Sequence, residues 1–102
     1  MITWKNASES DLEQFESIKC LLKNHEYLLP YIFDSEKPCL AAPVNELLDC
    51  ANSFSGGEVV LIQVALDLWS ASDNAHLLKV LQTLSPTNLQ NLLKSLKMAK
   101  LI

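Results

Sequence analysis

The stretch SGGEVVLIQVALDLWS, residues 55–70, decides the fold of this chain of 102 residues. Between residues 59 and 69 the apolar run is interrupted only by Gln63 and Asp67. At 100° per residue, Gln63, Asp67 and Ser70 share one narrow polar stripe, and the rest of the circumference is apolar. The β-branched start would also suit a buried strand, but the run is long for a strand and does not alternate. We therefore predict a mostly apolar central helix over residues 56–70, buried on most sides.

The entry to this helix also has a recognisable pattern. Ser55 and Glu58 stand at the spacing of a capping box, in which each side chain satisfies a backbone N–H of the first turn. The same residues, FSGGE followed by Ala65 and Leu66, resemble the signature motif of ABC-type ATPases, which implies a helix N-terminus aimed at a nucleotide phosphate. The chain contains no Walker A sequence. We therefore interpret the motif as a helix cap rather than a nucleotide site.

The remaining periodicity predicts an all-α fold, a compact bundle of about five to six short helices around the central one. We expect a single helical domain over residues 1–102, with residues 1–9 as an N-terminal arm and residues 34–43 as a loop. Ser10 and Glu13 form a second capping-box pattern, which predicts the start of the first helix. In the aromatic segment 25–33 we expect one or two helical turns, broken near Pro30.

Two further helices are predicted in the last third of the chain. The first covers residues 74–84 and is capped around Asn74. The second covers residues 86–97, with Ser85 as N-cap and Pro86 as first residue. The side chains expected to face the core are Leu77, Leu78, Val80, Leu81 and Leu84 in the first helix, and Leu89, Leu92, Leu93 and Leu96 in the second.

Composition excludes intrinsic disorder, because 49% of the residues are hydrophobic, 20% are charged and the net charge is only −4. A domain of this size has difficulty hiding so much apolar surface, which favours a protein partner or a second copy. All acidic residues lie between residues 9 and 73, and the only charges beyond are four lysines and a histidine. This segregation fits either internal electrostatic packing or a polyanion-binding face. The absence of arginine counts against the second interpretation.

Nothing in the sequence predicts a signal peptide, a membrane span, a metal site or a cofactor. Cys20, Cys39 and Cys50 have no paired spacing, so we expect free thiols and a cytoplasmic location. Cys20 and His25 do not have the arrangement of a known catalytic dyad. We therefore expect a protein that is not an enzyme.

The leading functional hypothesis is a small soluble interaction or regulatory module that binds another protein or forms a homodimer. Its candidate contact residues are Gln63, Asp67 and Trp69, because the polar stripe is where the central helix reaches either water or a partner. Asp67 in particular is either exposed or in a partly buried polar contact.

The alternative hypothesis is a helix-turn-helix DNA-binding protein that uses residues 74–97. Amide side chains of the second helix would contact bases and its lysines would contact phosphates. The candidate residues are Asn88, Gln90, Asn91, Lys94 and Lys97. The Ser-Pro turn and the lack of arginine depart from the familiar motif, so we expect nucleic-acid binding to be the weaker hypothesis.

Overall fold

The structure, a computed structural model, describes residues 2–102. About 64% of the chain is helical, and residues 2–102 contain no strand beyond an isolated bridge between Phe33 and Leu40. The predicted all-α fold is therefore confirmed. No helix within the described residues has the length and apolar character needed to cross a membrane. The helices are α1 (Glu9–Leu21), α2 (Leu29–Ile32), α3 (Val44–Cys50), α4 (Gly56–Ser70), α5 (Leu77–Thr83) and α6 (Pro86–Met98), with 3-10 turns at Glu26–Leu28 and Ala51–Ser53.

Helix α4 has the predicted bounds and lies at the centre of the fold. Ser55 Oγ accepts a hydrogen bond from the Glu58 N–H at 3.3 Å, and Glu58 Oε1 accepts one from the Ser55 N–H at 3.0 Å. Helices α1, α3 and α5 all pack against it. Its buried residues are Val60, Leu61, Ile62, Val64, Ala65 and Leu66.

The N-cap of helix α1 lies two residues earlier than predicted. Ser8 is the N-cap, its Oγ accepting from the Asp11 N–H at 3.0 Å while Asp11 Oδ2 accepts from the Ser8 N–H at 3.2 Å. The prediction of Ser10 with Glu13 is therefore wrong. Both pairs have the same spacing, and the earlier one gives the longer helix, in which each added residue contributes a backbone hydrogen bond.

The N-terminal arm is anchored by Trp4. Its indole Nε1 donates to the backbone oxygen of Asp34 at 2.7 Å. The ring lies 4.5 Å from Phe15 and 5.6 Å from both Phe33 and Trp69, centroid to centroid. Such edge and tilted arrangements add to the stability that comes from burial alone. The arm therefore forms part of the aromatic end of the core.

The helical turns of the segment 25–33 form, but Pro30 does not break them. It lies in the first turn of α2, directly after the 3-10 turn Glu26–Leu28. A first-turn N–H has no partner within the helix, so proline is tolerated there without loss of a hydrogen bond.

Helix α5 begins at Leu77, three residues later than predicted. The backbone N–H groups of Asn74 and Ala75 both donate to the Asp67 carboxylate at 2.7 Å. The chain reaches this position through Ala71, which ends α4 in the left-handed conformation with φ 52°. This tertiary contact fixes the path of residues 74–75, and His76, the N-cap of α5, is extended at φ −107° and ψ 130°.

Helix α6 begins at Pro86 as predicted, with Ser85 Oγ accepting from the Asn88 N–H at 3.2 Å. Its orientation agrees with the prediction only in part. Leu89 and Leu92 pack against the core as predicted, whereas Leu93 is 52% exposed and the polar Asn91 and Ser95 are buried. Helix α6 packs along α1, where small side chains allow the two backbones to approach closely.

Candidate interaction surfaces

Helix α5 presents three leucines to solvent. Leu77, Leu78 and Leu81 are 76%, 66% and 52% exposed, whereas Val80 and Leu84 are buried. The prediction that all five face the core is therefore wrong for three of them. At 100° per residue the three exposed side chains fall within a 100° arc, so they form one continuous surface, which we call the leucine face.

The leucine face arises because the apolar arc of α5 is wider than its contact with the core. Val80 and Leu84 lie at one edge of that arc and are the side chains that this helix buries. Monomeric proteins seldom expose a cluster of large apolar side chains without a partner that covers it. The arc width was already visible in the sequence, and it could have indicated an exposed edge.

The charged residue of α5 lies away from the leucine face. At 100° per residue, Lys79 is 100° from Leu78 and 160° from both Leu77 and Leu81. No acidic residue follows Asp73 in the sequence. The charge of α5 therefore does not define which partner would cover the leucine face.

A second surface is a groove between the first half of α1 and the end of α6. Two adjoining hollows, of about 430 and 250 Å³, share Glu13, Met98 and Lys100 in their walls. Leu12 and Met98 are its exposed apolar residues, at 47% and 48%. We call this surface the acidic groove, and its other lining residues are Glu9, Ser10, Gln14, Glu16, Leu68, Ala99 and Leu101.

Carboxylates dominate the rim of the acidic groove. Glu16 lies 3.6 Å from Lys19 and is partly neutralised by it. Glu9 and Glu13 have no ion-pair partner within residues 2–102. Lys100 is the basic residue of the lining, so negative charge is in excess. Met98 lies just beyond the predicted end of the last helix, and for that reason the sequence did not single it out.

The polar stripe of α4 is covered by the chain itself. Asp67 is half-buried, and its carboxylate accepts hydrogen bonds from the backbone of Asn74 and Ala75. Trp69 packs in the aromatic end of the core, 5.0 Å from Phe33. Gln63 is half-buried on the same helix. Of the sequence-predicted contact residues, Asp67 and Trp69 thus make contacts within the chain, and Gln63 is only partly exposed.

The residues assigned to DNA contact do not share one surface. Asn91 is 5% exposed and packs against α1, with Cys20 Sγ 3.9 Å from its backbone oxygen. Asn88 is half-buried. Only Gln90, Lys94 and Lys97 are exposed, so two of the three amides expected to contact bases are partly or fully buried.

A chain of polar contacts ties the start of α4 to the start of α6. The Tyr27 hydroxyl donates to Glu58 and lies 3.1 Å from His25 Nδ1, and His25 Nε2 lies 3.4 Å from Asn88 Nδ2. The hydrogen bond to Glu58 raises the pKa of Tyr27, and that same bond, with those from Ser55, lowers the pKa of Glu58. The hydroxyl and carboxyl groups are at the surface and line no hollow described above. We interpret the contacts as structural.

The described residues were also examined for groups of metal-ligating side chains. Within residues 2–102, no three His, Cys, Asp or Glu side chains are placed to hold a metal ion. The cysteines are free thiols, Cys20 half-buried and Cys39 and Cys50 exposed. Comparison with known proteins finds no matching family, no matching curated protein and no matching solved structure.

Proposed function

We propose that this protein is a small interaction module that docks a partner protein on the leucine face of α5. The observation that carries the proposal is the exposure of Leu77, Leu78 and Leu81 on one helix. Burying the exposed parts of three leucines is worth about 3–6 kcal/mol before the costs of association. Since each 1.4 kcal/mol is roughly a tenfold change in Kd, this face can serve as the centre of an interface.

The exposed leucines define the chemistry of the partner as an apolar surface or segment. The inward placement of Asn88 and Asn91 supports protein binding over DNA binding. The protein would act by occupying its partner, as an adaptor or regulatory subunit does, and without a catalytic step of its own.

A photo-cross-linking amino acid at position 78 tests the proposal in living cells of the source organism. The matched control carries the same group at position 79, because Lys79 is exposed on the same helix and lies at least 100° from each residue of the leucine face. We expect one discrete adduct from position 78, weakened when Leu81→Asp is added, and no such adduct from position 79. Mass spectrometry then identifies the captured chain. Equal labelling from both positions, or none from position 78, would refute a docking role for the leucine face.

A further inference from the structure

We propose that the pocket which holds Trp4 is a binding site for an extended, tryptophan-bearing segment of a partner protein, and that residues 2–7 of this chain fill it as a displaceable internal ligand. Three rings, those of Phe15, Phe33 and Trp69, surround the Trp4 indole at centroid distances of 4.5, 5.6 and 5.6 Å. We call this surface the tryptophan pocket. It shares no residue with the leucine face, so the two docking roles are independent.

The walls of the tryptophan pocket belong to the core of the fold. Phe15 lies on α1, Trp69 lies on α4 and Phe33 directly follows α2. These rings also contact one another, with Phe33 5.2 Å from Phe15 and 5.0 Å from Trp69. Gln14 Nε2 donates to the Trp69 backbone oxygen at 3.3 Å and ties α1 to the end of α4. Contacts that do not involve Trp4 therefore hold the walls together.

Beside the pocket, the loop after α2 presents three consecutive backbone oxygens to residues 2–7. Asp34 accepts from the Trp4 indole at 2.7 Å, Ser35 from the Thr3 N–H at 2.7 Å and Glu36 from the Lys5 N–H at 3.3 Å. This row of acceptors is fixed within the loop, because the Asp34 carboxylate accepts from the N–H groups of the two residues after Ser35. Acceptors that are already ordered reduce the entropy that a peptide loses when it binds.

The pocket and the row of acceptors together define the ligand. Tryptophan suits the pocket because it combines a large aromatic surface with an N–H donor, whereas phenylalanine has no donor. Main-chain hydrogen bonds supply affinity without regard to sequence, and a side-chain pocket supplies specificity, as in other domains that bind extended peptides. The side chains of Thr3 and Lys5 are exposed. The residues on either side of the tryptophan are therefore not selected by this site.

Residues 2–7 are attached in the way a bound peptide is. Trp4 is only partly buried, and Thr3, Lys5 and Asn6 are exposed. Residues 2–7 belong to no helix, and Lys5 has no ion pair within residues 2–102. One aromatic anchor and two main-chain hydrogen bonds thus hold this segment. A short tether gives it an effective concentration on the order of millimolar, so it fills the pocket by default and a partner must compete with it.

Displacement is tested in the wild-type chain labelled with fluorotryptophan, in which the Trp4→Phe variant assigns the fluorine resonances of Trp4 and Trp69. An unlabelled peptide with the sequence of residues 2–7, ITWKNA, is added in millimolar excess. We expect the Trp4 resonance to move toward that of free tryptophan, because the peptide displaces it. The Trp69 resonance should stay in place, since the indole of the peptide replaces that of Trp4. The peptide ITAKNA, which lacks the anchor, should change neither resonance.

The Trp4→Ala variant tests the pocket without its internal ligand. We expect fluorescence anisotropy to show that dye-labelled ITWKNA binds this variant at least about tenfold more tightly than it binds the wild type, because the internal competitor is absent. The peptide ITFKNA should bind the variant several-fold more weakly than ITWKNA, since the indole hydrogen bond is lost. Ile62→Val lowers stability within the core and leaves Trp4 in place, so it is the matched control and should bind like the wild type.

Three results would overturn the tryptophan pocket as a binding site for a partner. A Trp4 resonance that does not respond to millimolar ITWKNA shows that residues 2–7 are a fixed part of the core. A folded Trp4→Ala variant that binds no peptide shows that the pocket does not accept a ligand in trans. Equal affinity of the wild type and Trp4→Ala places the peptide elsewhere on the surface. If circular dichroism shows that Trp4→Ala is unfolded, the fluorine experiment on the wild type decides.

Discussion

Asp67 shows how one carboxylate can fix the path of a loop. It accepts from the Asn74 and Ala75 N–H groups at 2.7 Å, and the Ser72 hydroxyl lies 3.3 Å from the same carboxylate. Two of these donors are backbone groups of the residues that lead into α5, whose N-cap, His76, is extended. We infer that the position where α5 begins depends on this side chain.

We expect Asp67→Asn to lower the free energy of unfolding by about 2 kcal/mol. Both carboxylate oxygens of Asp67 accept from backbone N–H groups, and in asparagine one of these oxygens is replaced by an NH2 group, which cannot accept. Urea unfolding measures the change. Asp73→Asn is the matched control, since it removes the same charge from the same loop, and at φ 55° asparagine is tolerated as well as aspartate. Equal losses in both variants would show that charge, and not the hydrogen bonds of Asp67, matters.

Asp34 gives the chain a pH dependence. The backbone N–H groups of Glu36 and Lys37 donate to Oδ1 at 2.8 and 2.9 Å and hold the pKa of this carboxyl below its ordinary value. A pKa that is lower in the folded state contributes stability above the ordinary value of about 4, and this contribution is lost as the pH falls through the folded value.

Thermal unfolding of Asp34→Asn between pH 7 and pH 2 checks this expectation. The wild-type protein should have the higher Tm at pH 7, and the difference should shrink toward zero below about pH 4. Glu36→Gln removes a charge from the same loop and serves as the control, with a difference that changes less with pH. A constant gap between Asp34→Asn and wild type down to pH 2 would contradict the proposed origin of the stability.

At the scale of the elements, both α1 and α6, which pack together, bury polar side chains. Ser17 and Ser95 are both fully buried. The Ser17 hydroxyl donates to the Gln14 backbone oxygen at 2.7 Å, whereas Ser95 Oγ and Asn91 Nδ2 have no hydrogen-bond partner within residues 2–102. The packing of α6 therefore gains close approach to α1 at the cost of two unsatisfied polar groups.

The two serines form a matched pair for measurement. We expect Ser95→Ala to raise the free energy of unfolding by about 1 kcal/mol, because it removes a buried hydroxyl that has no partner and changes the volume little. Ser17→Ala should be neutral or destabilising, since its hydroxyl is satisfied. Equilibrium urea unfolding compares them directly, and a gain from Ser17→Ala as large as that from Ser95→Ala would contradict this explanation.

Element boundaries follow from the sequence where local chemistry decides them. Helix α4 and the start of α6 matched their predictions because Ser55 with Glu58, and Ser85 with Pro86, satisfy the first turn within the chain segment itself. The start of α5 could not be predicted, because it depends on Asp67, seven residues from Asn74 along the chain. Whether a segment is helical is thus decided here by its local sequence. Where a helix begins is decided locally only when its capping residues lie next to it in the sequence.

Surface position follows from the sequence less well than element type. Periodicity predicted Leu77, Leu78 and Leu81 as core residues because they share an apolar arc with Val80 and Leu84. How much of an arc is covered depends on the number of helices that pack around it, and periodicity does not contain this number. The two candidate surfaces are therefore formed largely by residues that the sequence assigned to the core or did not single out.

At the scale of the whole molecule, charge is segregated along the chain. Residues 1–73 contain twelve acidic residues and four lysines, whereas residues 74–102 contain four lysines and no acid. Within one copy, α6 lies along the acidic helix α1, so part of this asymmetry is satisfied internally. Glu9 and Glu13 at the acidic groove have no ion-pair partner within residues 2–102, so part of the negative charge of α1 stays unpaired at the surface.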